Sequence, residues 1–149
     1  MGFGPHLTLD LYGCSKKKIM DREFIRGILH NLPDFIGMHK ISEPMVSHFA
    51  GNPLGNEESF DKGGISAFVL IAESHITIHT FAAQGFVSID IFSCKDFDVG
   101  KAEKFLVEAF EAKKAETNFF TRGKEFPRDT VLAKPIVAGE RKDITKKRK

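Results

Sequence analysis

Tryptophan is missing and Tyr12 is the only tyrosine, so phenylalanine, with fifteen copies in 149 residues, supplies nearly all the aromatic surface. Cysteine is almost as scarce: Cys14 and Cys94 lie far apart and cannot form a disulfide framework. The chain does not open with a charged segment followed by an apolar run, so no secretory leader is expected and the reading is a reduced, cytoplasmic protein. No apolar stretch approaches the roughly 20 residues of a membrane-spanning helix. Neither charge sign dominates, with 22 basic against 20 acidic residues and a net charge of +2. A whole-molecule field that would select nucleic acid or an anionic membrane is therefore excluded as a partner signal. No repeats are visible. Function has to come from a site.

The apolar content is 42%, enough at this length for one core and not for two. Leu7, Leu9 and Leu11 alternate with His6, Thr8 and Asp10, which predicts a strand over residues 6 to 12 that Gly13 ends. From an N-cap at Asp21, the spacing of Phe24, Ile25, Ile28, Leu29 and Leu32 predicts an amphipathic helix stopped by Pro33. Residues 51 to 64, rich in Gly, Asn and charge, read as a loop long enough to serve as a lid. ISAFVLIAE, HITIHTF and GFVSIDIFSC predict three strands, the last two joined by AAQG, and Asp98 caps a second helix carrying Ala102, Phe105, Leu106, Ala109 and Phe110. Residues 114 to 121 can add one more strand. The fold class this implies is α+β, a two-layer sandwich whose mostly antiparallel sheet has helices on one face. The domain spans residues 1–122, and residues 123–149 form a polar, basic, disordered tail.

One sheet face is then left uncovered. In the hairpin, Ile76 and Ile78 point to the core, while His75, Thr77 and His79 point away, joined by Ser88, Asp90 and Cys94 of the next strand. Pairing about Ala83 and Gln84 sets opposite each other residues whose numbers sum to about 167, so His79 faces Ser88 and Ser74 falls beside Ser93 or Cys94. Ser74, His79 and Cys94 are expected to converge. Strict alternation would point Ser74 away from His79, so the chain must bend around Glu73 and Ser74, a strained geometry that an internal acyl shift could exploit. From the residues alone a zinc site built from His75, His79 and Cys94 stays open, although the usual paired ligand spacings are missing.

The run ESHITIH, then IDIFSC, and the opening GPHLTLDLYGC together resemble the prokaryotic S-adenosylmethionine decarboxylase proenzymes, a pyruvoyl-dependent family, over about residues 3 to 115. The resemblance implies a self-processing carboxy-lyase cleaved between Glu73 and Ser74, with Ser74 becoming the covalent pyruvoyl cofactor that forms a Schiff base with the substrate amine. It gives His79 the role of proton acceptor in processing, Ser66 that of assisting it, and Cys94 that of proton donor in decarboxylation; no metal is involved. It implies S-adenosylmethionine as the small-molecule substrate, spermidine synthesis as the destination of the product, and a homodimer of processed chains with the His79 face near the subunit contact. An adenine-stacking aromatic maps to Phe60, or to Phe49 if the loop is an insertion. The family's proline and ribose-binding glutamate, however, are Ala82 and Ala83 here, with the adjacent Gln84 as a substrate-binding candidate whose neutral amide accepts a weaker hydrogen bond than a carboxylate. Loss of that carboxylate keeps a pyruvoyl-dependent arginine or ornithine decarboxylase as the alternative on the same scaffold.

Overall fold

Residues 3–51 and 63–126 are described by the structure, a computed structural model of the chain. The order of elements is β1 (Gly4–Tyr12), α1 (Lys16–Ile19), α2 (Arg22–Phe35), β2 (Met45–Phe49), β3 (Gly64–Ile71), β4 (Ser74–Phe81), β5 (Phe86–Ser93), α3 (Val99–Phe110) and β6 (Lys114–Arg122). The strands form one antiparallel sheet in the order β2-β3-β4-β5-β1-β6. Every second residue of β1, β3, β4 and β5 is buried on one side: Leu7, Leu9 and Leu11; Ile65, Ala67, Val69 and Ile71; Ile76 and Ile78; Val87, Ile89 and Ile91. They share a core with Ile25, Ile28, Leu29 and Leu32 of α2 and Ala102, Leu106 and Phe110 of α3. Period two in the strands and period 3.6 in the helices thus meet in a single apolar layer.

The helix starts agree with the sequence. Asp21 accepts hydrogen bonds from the N–H groups of Glu23 and Phe24, and Asp98 accepts one from Lys101, satisfying donors that a helix leaves unpaired. The predicted stop at Pro33 is corrected, because α2 runs through it to Phe35. So close to the end, proline removes only one intrahelical bond, and its ring is buried in the core. Thr80 is a buried hydroxyl on the core side of β4. It donates to the Ile19 carbonyl at 2.9 Å and accepts from the Ile65 N–H at 2.8 Å, tying α1 to the start of β3. Gly64 is obligatory in this crossing, since a Cβ there would collide with the Thr80 carbonyl.

Two elements were not anticipated. Neither α1, at four residues, nor β2, with four of its five residues exposed, carries a readable period. β2 is an edge strand recruited by pairing with β3, as in Ser47 opposite Ser66. Residues 52–62, most of the proposed lid, and residues 127–149, most of the proposed tail, lie outside the described residues.

Candidate active site

The side of the sheet away from the helices carries the polar chemistry. Strand register sets its side chains in rows: Ser66, His79, Ser88, Asp10 and Glu116; then Phe68, Thr77, Asp90, Thr8 and Asn118; then Leu70, His75, Phe92, His6 and Phe120. His79 faces Ser88 and Ser74 pairs with Ser93, the register the AAQG turn implies.

At the end of β4 nearest the β3 hairpin, three of the singled-out residues meet. Ser74 has φ +126°, a left-handed conformation in which a non-glycine residue is strained by roughly 1–3 kcal/mol. The Cys94 N–H donates to the Glu73 carbonyl at 3.3 Å, and the Cys94 Sγ–H donates to the Glu73 carboxylate at 3.3 Å. Burial pushes the Cys94 thiol up, and the Glu73 side chain adds to the rise. The other thiol, Cys14, is buried in the core and pushed up to about 11, which leaves it inert.

His79 is elsewhere. Its Nδ1 lies 3.0 Å from the Ser66 hydroxyl on the exposed sheet face. Five residues of extended strand separate it from Ser74, about 16 Å. The expected convergence of Ser74, His79 and Cys94 within one chain is therefore not found: Ser74 and Cys94 form one group, His79 and Ser66 another. Alternation along β4 aligns side chains on one face but cannot shorten the strand. The same distances dismantle the zinc reading, because His75 and His79 stand about 13 Å apart on β4. Among the described residues no group of three His, Cys, Asp or Glu could hold a metal.

Between the two groups lies a network that sequence reasoning named only in part. His6 Nε2 is 2.7 Å from Asp90 Oδ1, and the Thr77 hydroxyl donates to Asp90 Oδ2 at 3.4 Å. Burial holds His75 below the usual histidine range, against the upward pull of Asp90. His6 was visible as the polar partner of the leucine alternation, but nothing in a single strand says that a diagonal neighbour will be Asp90. Of the substrate-binding candidates, Gln84 lines a cavity with Tyr12, Phe81 and Phe86. Phe49 is exposed at the sheet edge opposite Gly64, and Phe60 lies outside the described residues. Ala82 and Ala83 are in the connecting turn and carry no carboxylate.

Comparison with known proteins bears on the chain and its fold. A sequence profile described as S-adenosylmethionine decarboxylase matches residues 5–123. Proteins named S-adenosylmethionine decarboxylase proenzyme are similar in Clostridium botulinum (strain Loch Maree / Type A3), 34% identical over 81% of this chain and 95% of the relative, and in Archaeoglobus fulgidus, 31% identical over 80% and 97%. The crystal structure of the adenosylmethionine decarboxylase from Aquifex aeolicus superposes with a TM-score of 0.65 at 29% identity, covering 82% of this chain and 92% of that one. With the profile covering most of its length and relatives above 30% identity matched nearly end to end, the chain belongs to the S-adenosylmethionine decarboxylase family.

Proposed function

We propose that the chain cleaves itself between Glu73 and Ser74 and, with the resulting pyruvoyl group, decarboxylates S-adenosylmethionine to the aminopropyl donor used in spermidine synthesis. One observation carries the reading: the carbonyl held by the Cys94 N–H belongs to the peptide that precedes a serine of positive φ. The residues fit the group that would form there. Attack of Ser74 Oγ on the Glu73 carbonyl carbon, with loss of the hydroxyl proton and breakage of the C–N bond, converts the amide to an ester. The Cys94 N–H already faces the oxygen on which negative charge develops, a preorganised donor in the sense of an oxyanion hole. Loss of the Ser74 Cα proton then expels the Glu73 carboxylate, and hydrolysis takes up water and releases ammonia to leave the pyruvoyl carbonyl. When present, this carbonyl supplies the electron sink that loss of carbon dioxide requires.

A base for the Cα proton must come within about 3 Å of it. Ser66 on His79 Nδ1 fixes the ring and leaves Nε2 for that proton, yet His79 is about 16 Å from the serine of its own chain. A second copy resolves the distance. A two-fold axis lying between two open faces and crossing β4 midway between Ser74 and His79 sets the serine of each copy against the histidine of the other. The enzyme is accordingly a homodimer of catalytic domains, residues 1–122, with composite sites. Cys94 holds a proton at Sγ, since burial keeps it a thiol at neutral pH, and returns it to the substrate carbon. Gln84 and Phe49 face the same side as substrate contacts, with Phe60 a third candidate. Free thiols at Cys14 and Cys94 suit the cytoplasm.

Intact mass of the purified protein tests the reading. Chains of 73 and 76 residues, the second blocked at its amino terminus, are expected from the 149, together with carbon dioxide release from S-adenosylmethionine rather than from arginine or ornithine. An intact chain without activity would sink it.

A further inference from the structure

Three polar side chains are buried among the described residues: His6, Thr80 and Ser93. Thr80 ties α1 to β3 and His6 meets Asp90. Ser93 has no solvent exposure and stands beside the cleavage site, paired with Ser74 across the β4–β5 ladder. We propose that the Ser93 hydroxyl is a positioning group for self-cleavage, holding the Cys94 N–H on the Glu73 carbonyl. The inference rests on cleavage between Glu73 and Ser74 and names what aims the donor at the oxygen that takes the charge.

The bond from the Cys94 N–H to the Glu73 carbonyl, 3.3 Å long, lies just past the end of β5, where the regular ladder no longer fixes the backbone. Something else has to hold Cys94 there. The Ser93 Oγ accepts from the Lys95 N–H at 3.0 Å, which closes a hydroxyl-to-backbone turn with Cys94 as its middle residue. The same hydroxyl donates to Met38 Sδ at 3.5 Å, and the Lys95 ammonium donates to the Gly37 carbonyl at 3.2 Å. Both ends of the turn are thus fastened to one loop, residues 37–39. That loop also holds the chain before the cleavage site, through the Ala72 N–H on the His39 carbonyl at 2.8 Å. The attacked peptide and its donor share one support.

On its other flank Cys94 is pressed by β1. A Cβ on Gly4 would collide with the Ser93 carbonyl oxygen and lie 2.8 Å from the Cys94 Cα, so the strand passes this closely only because residue 4 has no side chain. Between Gly4 and Glu73 the Cys94 backbone has little room to shift sideways, and the Ser93 turn sets its remaining freedom. Without the hydroxyl the Lys95 N–H loses its acceptor, the turn opens to water, and the Cys94 N–H swings off the carbonyl. A donor off its line does less for a developing oxyanion.

The test follows full-length chains made by cell-free synthesis, with intact mass timing the conversion of 149 residues into 73 and 76 after translation is stopped. Ser93→Ala removes the acceptor. Ser93→Cys keeps the volume but puts a weakly accepting sulfur in its place, so the test survives if the alanine chain does not fold. Cleavage is expected to slow roughly ten- to a hundredfold in both, short of the about 10²- to 10³-fold cost of deleting an oxyanion donor outright. A second readout would not move if Ser93 served stability alone. In the Ser74→Ala chain, adding Ser93→Ala should lower the pH midpoint of Cys94 alkylation, because the thiol is loosened from the Glu73 carboxylate. Wild-type cleavage rates in either Ser93 variant, or a Cys94 midpoint unmoved by Ser93→Ala, would overturn the proposal. A wild-type chain that never cleaves refutes the self-processing reading, and the alkylation comparison, which needs no cleavage, still decides whether Ser93 holds Cys94 in place.

Discussion

The proposed mechanism gives Cys94 two tasks with two different atoms, and substitution separates them. Its main-chain N–H holds the Glu73 carbonyl whatever side chain is present, so Cys94→Ala should still process. Without the Sγ proton, decarboxylation should fall by about 10²- to 10⁴-fold, the usual contribution of a positioned acid; normal turnover in the cleaved variant would remove Cys94 as the donor. The protonation itself is testable. Burial raises the thiol first, and the Glu73 carboxylate raises it further by hydrogen bond and charge. Removing that charge in Glu73→Gln, in the uncleaved Ser74→Ala chain, should lower the pH midpoint of Cys94 alkylation while burial keeps it above an ordinary thiol. A midpoint unmoved or raised would contradict the assignment, with Cys14, pushed up to about 11, as the slow internal control. The sequence made Cys94 and Ser74 legible as neighbours, because a four-residue turn fixes the register of its hairpin. His6 is legible only as a polar member of an alternation, since its partner Asp90 lies on a strand remote in sequence.

At the scale of elements, β3, β4 and β5 act as the rule on which the site is measured, and Thr80 anchors that rule to α1. Thr80→Val keeps the shape but leaves the Ile65 N–H and the Ile19 carbonyl buried without their partner. A loss of roughly 1–3 kcal/mol in urea unfolding is expected, and unchanged stability would show that the buried hydroxyl is not the tie. The strands and both long helices could be read because their apolar periods match the layer they bury. β2 could not, because an edge strand with one buried residue, Val46, owes its existence to the neighbour it pairs with. Pro33 misled for a related reason: a local breaker signal says nothing of how little helix remains to be broken.

For the whole molecule, the decisive quantity is the about 16 Å between Ser74 and His79 along β4. In the proposed mechanism the processing residues meet only across two copies, an arrangement that one sequence does not display. The open face offers what such a contact needs, a polar centre at Asp90 and His6 with exposed Met45, Phe68, Leu70 and Phe120 around it. A dimer is expected in sedimentation at micromolar concentration, and a monomer that nonetheless processes would contradict the composite site. The most direct measurement is complementation. Ser74→Ala and His79→Ala chains, each produced alone, should remain at 149 residues. Produced together, they form mixed dimers in which the intact Ser74 of one chain faces the intact His79 of the other, and mass spectrometry should then find the His79→Ala chain cut after Glu73. Cleavage absent from the mixture, or as complete in His79→Ala alone as in the wild type, would contradict a site shared between two copies.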